Sequence, residues 1–255
     1  MNTDMGQRQV ETVALILLAV ITALACLVRF SFQYPDSHYY MEMIGFFRGE
    51  VSASELNAPF AYRPLLPFVA AILPFVPQIT ISFLNLCFIV LLSWVYFYIA
   101  KEYEVSIPIA FLTSTIYSVS WVVMYYGAVV LVDPGAILCL SLAFLMMIRN
   151  KARWKIGLVL LIGVFLKEIA LIGIASYLLL ERDFSPAVLV PAPLGYAVIR
   201  LVTPVSNPGF LWHFHLRAFT DLFSSTMKTL LVAMVPYLVV IAIGLLYQRK
   251  NNGQS

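Results

Sequence analysis

IGLVLLIGVFLKEIALIGIASYLLL, residues 156 to 180, carries no charge except at its centre, where Lys167 and Glu168 stand side by side. The stretch is long enough to cross ~30 Å of hydrocarbon once. As one helix it would hold both charges at mid-bilayer, where each costs about 2.5–3.5 kcal/mol on insertion scales. As two helices of about eleven residues hinged at the pair, it would return to the side it came from, and broken helices are tolerated where they line a cavity. The hinge is the preferred reading. That choice sets the sidedness of everything downstream.

Working outward, the preceding loop RNKARWK holds Arg149, Lys151, Arg153 and Lys155, and the tail carries Arg249 and Lys250. Basic loops stay cytoplasmic, so both regions are expected inside. The other candidate spans are 12–30, 79–100, 106–126, 134–148, 186–203 and 226–247. The segment 65–77 is apolar but short, and Pro64, Pro67, Pro74 and Pro77 crowd it. Prolines remove donors and break helices, so it is expected as a short or re-entrant helix at the membrane face. The first apolar segment, Val13 to Val28, has no strong basic region before it and no small-x-small cleavage site, and is read as a retained helix.

Composition agrees with this layout. The 255 residues are 62% hydrophobic and 11% charged, against about 25% charged in soluble domains. The expectation is an all-α, polytopic integral membrane bundle of about seven to nine transmembrane helices, with a large first extracytoplasmic loop containing short amphipathic or re-entrant helices. Residues 1–255 are read as one membrane domain, multi-pass, with both termini cytoplasmic. A scattered net charge of +3 gives no nucleic-acid footprint. Cys26, Cys87 and Cys139 all lie in apolar runs and are read as core.

In this topology the outer face collects the loop 31–78, the loop GAVVLVDPG at 127–135, the Lys167–Glu168 hinge and the loop 204–225. The first of these contains QYPDSHYYMEMIGFFRGE, residues 33 to 50, and APFAYRPLLPF, residues 58 to 68. Ionisable groups at such depth are functional candidates.

Four pieces taken in order are PDSHYY after the first helix, FAYRPLLP, LVDPG before the fourth apolar segment, and FLKE at the hinge. Their order and sidedness resemble the GT-C superfamily of polytopic glycosyltransferases, over roughly residues 10 to 185. The resemblance implies a polyprenyl-phosphate-linked sugar donor and a working face outside, in a cell membrane or the endoplasmic reticulum. It implies that the first-loop acid, Asp36, is the general base. Inverting transfer does need one carboxylate to take the acceptor proton while a phosphate leaves.

Each candidate also has a plainer reading. Asp36 could cap the helix that follows it. Arg63 and Lys167 are the first choices for holding the lipid phosphate, with Arg200 and Arg217 behind them. Arg63 could equally be an interfacial anchor, and Lys167 a simple partner of Glu168. Adjacent helical residues point about 100° apart, so these two are free to take different partners. Asp133, before Pro134, is either a helix cap or a second carboxylate near the phosphate. His38, Tyr62 and Glu168 complete the expected substrate-binding set. The one cofactor candidate is a divalent cation, magnesium or manganese. His213 and His215 lack a third ligand nearby and are read as interfacial. Membrane lipid and a glycan, lipid or protein acceptor are the expected partners, with room for a membrane-protein partner. The rival readings are a non-catalytic scaffold or assembly subunit, and a transporter.

Overall fold

The computed structural model describes residues 2–205. All regular structure among them is helical: α1 (Asn2–Leu27), α2 (Ser37–Phe47), α3 (Leu65–Ile72), α4 (Pro77–Glu102), α5 (Ile107–Ser118), α6 (Trp121–Tyr126), α7 (Asp133–Ile148), α8 (Arg153–Leu166), α9 (Ile172–Glu181), α10 (Pro186–Leu189) and α11 (Pro191–Val202), with short 3₁₀ turns between some of them. The expectations for Arg217, His213, His215, the apolar segment 226–247 and the Arg249–Lys250 tail lie outside the described residues.

Two helices, Gly6–Leu27 and Pro77–Glu102, are long and apolar enough to cross a membrane, and neither is buried over most of its length. The reason is visible in α1. Ala14, Leu18, Thr22 and Cys26 recur every four residues and are its buried stripe, while Val13, Leu17, Val20 and Leu24 face outward. One narrow stripe packs inside and the remaining apolar circumference is left uncovered.

The chain then runs back and forth between two ends. Leu18 meets Phe97 and Cys26 meets Ile89, so α1 is antiparallel to α4. Asn85 reaches Leu131, Ser141 reaches Tyr96 and Arg149 reaches Glu102, so α4 and α7 run parallel. One end of the bundle receives 31–78, 127–133 and 167–171. The other receives the basic loop 149–155, where Arg149 pairs with Glu102 at 2.7 Å and Arg153 with Asp183 at 2.9 Å.

The Arg153–Asp183 pair bears directly on the segment 156–180. α8 leaves the basic end, breaks at Lys167 with extended backbone (φ −165°, ψ 141°), passes a 3₁₀ turn at Glu168–Leu171, and returns as α9. The break falls at the charged pair, and the chain comes back to the end it left. Close packing of this hairpin against α10 needs glycine at 157, where a Cβ would collide with the carbonyl oxygen of Ala187.

Segment 65–77 forms only the eight-residue α3, and its C-terminal carbonyls are capped from outside. Arg48 donates to the carbonyls of Ala71 (3.2 Å), Leu73 (3.2 Å) and Phe75 (3.4 Å).

Three boundaries differ from expectation. Segment 12–30 stops being helical at Leu27. Segment 106–126 is two helices, because Ser120 turns away from the α5 axis and accepts from the Val123 amide to start α6. Short polar side chains compete for the backbone in this way. Segment 186–203 divides at Pro191, which has no N–H to continue α10.

Candidate functional site

Construction of the site begins with the non-helical strip 127–132, whose backbone groups need partners inside the bundle. Asn85, fully buried in α4, donates its amide to the carbonyls of Val129 (2.7 Å) and Leu131 (2.8 Å). Ser37 donates to the Val130 carbonyl at 2.7 Å, and the Val130 amide bonds the Phe32 carbonyl at 3.1 Å. The strip is thereby laced to α4 on one side and to residues 31–37 on the other. That lacing brings Asp36, just before α2, and Asp133, at the start of α7, to the same place.

The hinge supplies the opposite wall. Lys167 pairs with Asp133 across 34 positions of sequence. Its neighbour Glu168 takes Arg63 bidentately, with Nε to Oε2 at 3.0 Å and Nη2 to Oε1 at 2.7 Å. Arg63 also donates from Nη1 to the Tyr40 hydroxyl at 2.9 Å. Bidentate, charge-assisted geometry of this kind is strong and directional. Burial opposes the Arg63 charge, but the bonds from Glu168 and Tyr40 prevail and hold the guanidinium above its ordinary range. Burial pushes the Tyr40 phenol up to about 12, against the pull of Arg63, so it stays neutral at physiological pH.

Asp36, Arg63, Asp133 and Lys167, from four separate stretches of sequence, line one cavity of about 400 Å³. Its other walls are largely apolar and aromatic, among them Ile89, Val123, Ile137 and Tyr126. A space of this size, apolar with a few converging polar groups, suits a small-molecule ligand.

Several expectations change at this point. Asp36 is not a cap: its backbone is already helical (φ −68°, ψ −19°), its side chain bonds no helix amide, and Ser37 accepts from the Tyr34 amide instead. Among the described residues Asp36 has no hydrogen bond or ion pair. Asp133 is the first residue of α7 but caps nothing, because Lys167 takes its carboxylate. Lys167 and Glu168 are not each other's partners.

His38 is outside the lining; it is exposed and pairs with Glu42 at 2.9 Å along α2. Tyr62 is buried beside Ala58 and Ile199 with the Arg200 guanidinium 4.7 Å over its ring, also outside the lining. Glu168 stands behind Arg63 rather than in the wall.

Sequence reasoning passed over Tyr40, which orients Arg63, and Asn85, which holds the strip. A lone Asn in an otherwise apolar helix was the available signal for the second. Chemically the cavity offers one unpaired carboxylate, one carboxylate shared with a lysine, and an arginine fixed in place. Among the described residues no three His, Cys, Asp or Glu side chains converge on a metal-sized site. No family model, curated protein or solved structure matches the chain.

Proposed function

We propose that this chain is a multi-pass membrane glycosyltransferase that moves a sugar from a polyprenyl-phosphate donor to an acceptor on the outer face. The observation that carries the reading is the shared cavity of Asp36, Arg63, Asp133 and Lys167. A free carboxylate, paired cations and apolar walls together suit a ligand that is sugar, phosphate and hydrocarbon. The apolar side chains exposed around the helices, such as Ile16, Phe83, Leu112 and Leu179, suit lipid contact.

In the proposed reaction Asp36 takes the proton of the acceptor hydroxyl. The acceptor oxygen bonds to the anomeric carbon as the bond from that carbon to the phosphate oxygen breaks. The phosphate departs on its lipid. Lys167 and Arg63 offset its charge, using donors beyond those given to Asp133, Glu168 and Tyr40. Asp36 and Asp133 are the carboxylates that could hold magnesium or manganese. Among the described residues no third His, Cys, Asp or Glu joins them and Lys167 already takes Asp133, so the proposed steps are written through the side chains alone.

The test offers the purified chain a panel of labelled polyprenyl-phosphate sugars and measures release of the lipid phosphate. Turnover of at least one donor is expected; no turnover and no binding across the panel refutes the enzyme. The pairing of both cations favours one other reading, a non-catalytic scaffold of the same architecture, which predicts that second outcome.

Sidedness is tested separately. The basic end of the bundle is proposed to be cytoplasmic, with N- and C-termini on that side and 31–78 outside. In a background lacking the three native cysteines, Glu50→Cys and Lys151→Cys should label from opposite faces with a membrane-impermeant thiol reagent. Both positions are exposed. Labelling from one side only sinks the topology and the outer-face site together.

A further inference from the structure

The cavity that gathers Asp36, Arg63, Asp133 and Lys167 has a neighbour. Between α4, α7 and α9 lies a second space of about 260 Å³, walled by Ile99, Leu140, Phe144 and Met147. Among the described residues no charged side chain lines it. Its hydroxyls are spent on the protein itself: Ser141 donates to the Tyr96 hydroxyl at 3.4 Å and Ser176 to the Ile172 carbonyl at 3.2 Å. What such walls offer an occupant is close contact with hydrocarbon.

The two spaces follow the same helix faces. On α4, Ile89 lines the first and Tyr96, two turns on, the second. On α7, Ile137 lines the first, while Ser141 and Phe144, one and two turns on, line the second. Residues so spaced share a face. One aromatic contact stands between the spaces: Tyr117 in the wall of the first meets Tyr96 in the wall of the second, centroids 4.4 Å apart and edge-on. Because α4 and α7 run parallel, they form one path from the charged end of the bundle toward the basic end. From Asp133 to Met147 that path measures about 21 Å at ~1.5 Å per residue, within the ~30 Å of a bilayer's hydrocarbon. A lipid whose phosphate lies beside Lys167 has its tail pointing that way.

We propose that the second cavity takes the hydrocarbon chain of a prenyl phosphate whose head group occupies the first. The inference rests on the lipid-phosphate reading of the first cavity and not on sugar transfer. A prenyl chain extends about 1.2 Å per bond, as an extended backbone does, so geranyl phosphate reaches ~10 Å and geranylgeranyl phosphate ~19 Å. The shorter chain ends at the Tyr96–Tyr117 contact and the longer between Phe144 and Met147.

Affinity is a poor readout, because a tail leaving a micelle exchanges one hydrocarbon environment for another. Position is a better one. The full chain in maltoside micelles is given each phosphate with a photoreactive diazirine on its last isoprene unit, irradiated, and the labelled residues are mapped by mass spectrometry. The geranylgeranyl probe should label residues 140–147 and 173–176, and excess geranylgeranyl phosphate, but not geranylgeraniol, should suppress that labelling. The geranyl probe should label Tyr117 or Ile137 instead. Ser141→Phe and Ser176→Leu, each filling the second cavity, should cut geranylgeranyl labelling there at least about fivefold, because a close-packed interior has no room for both. Geranyl labelling should persist in both variants, which also reports that the fold survives. Suppression by geranylgeraniol as strong as by the phosphate would show general lipid contact and overturns the proposal. So does geranylgeranyl labelling confined to outward side chains such as Phe83 and Leu112. If neither phosphate probe labels specifically, the ligand proposed for the first cavity falls and this inference with it. A geranyl probe that labels while the longer one misses the second cavity sinks this inference alone.

Discussion

Asparagine at position 36 should lower donor consumption by about 10²–10⁴-fold, the usual loss when a general base is removed. The substitution keeps the size and polarity of the side chain and takes away only its capacity to accept a proton. Because Asp36 caps no helix and has no partner among the described residues, folding should be nearly untouched. Exposed positions of this kind usually change stability by less than about 0.5 kcal/mol. Rate and stability are therefore separable here: kcat should fall while the thermal unfolding midpoint stays put. Wild-type turnover in the Asn variant would reduce Asp36 to an exposed surface residue and remove the base from the mechanism.

The second large effect is on stability. Arg63 and Glu168 have side chains only 8% and 19% exposed. Removing one partner of such a pair leaves the other charge uncompensated and typically costs about 3–5 kcal/mol. Glu168→Leu and Arg63→Met should each lower the thermal midpoint in detergent by about 6–20 °C, taking ~2–4 °C per kcal/mol for a chain of this size. The double variant should lose much less than the two singles together, because no orphan charge remains. Additive losses, or single variants as stable as wild type, would show that the pair is not a coupled unit.

Much of the architecture was legible because the helices are written in long apolar runs and many of their ends in charge. The hinge at Lys167–Glu168 was readable from the cost of placing two charges at the middle of a helix. The short α3 was readable from its prolines. Breaks at Ser120 and Pro191 were missed since each interrupts a run whose hydrophobicity continues, and only local hydrogen bonding reveals them.

The site was legible in its cast and not in its pairings. Asp36, Arg63, Asp133 and Lys167 were picked out as unusual charges, and they do share a cavity. That Glu168 reaches Arg63 across 105 residues is a tertiary fact no local pattern encodes. For the same reason Tyr40, one aromatic among many, gave no sign that it would orient a guanidinium. His38 and Tyr62, expected in the substrate-binding set, lie outside the cavity lining, one paired along α2 and the other packed beside Ala58 and Ile199.

The two ion pairs at the break in α8 also have an order of birth. Arg63 and Asp133 leave the ribosome before Lys167 and Glu168 do, and chains fold broadly from the N-terminus during synthesis. Until the hairpin of α8 and α9 arrives, the earlier segments carry an unmatched cation and an unmatched anion. The hairpin itself brings one charge of each sign at its tip, complementary to those already waiting. Its insertion is therefore the step at which four costly charges are neutralised at once, and a nascent chain halted short of residue 167 holds two of them unneutralised.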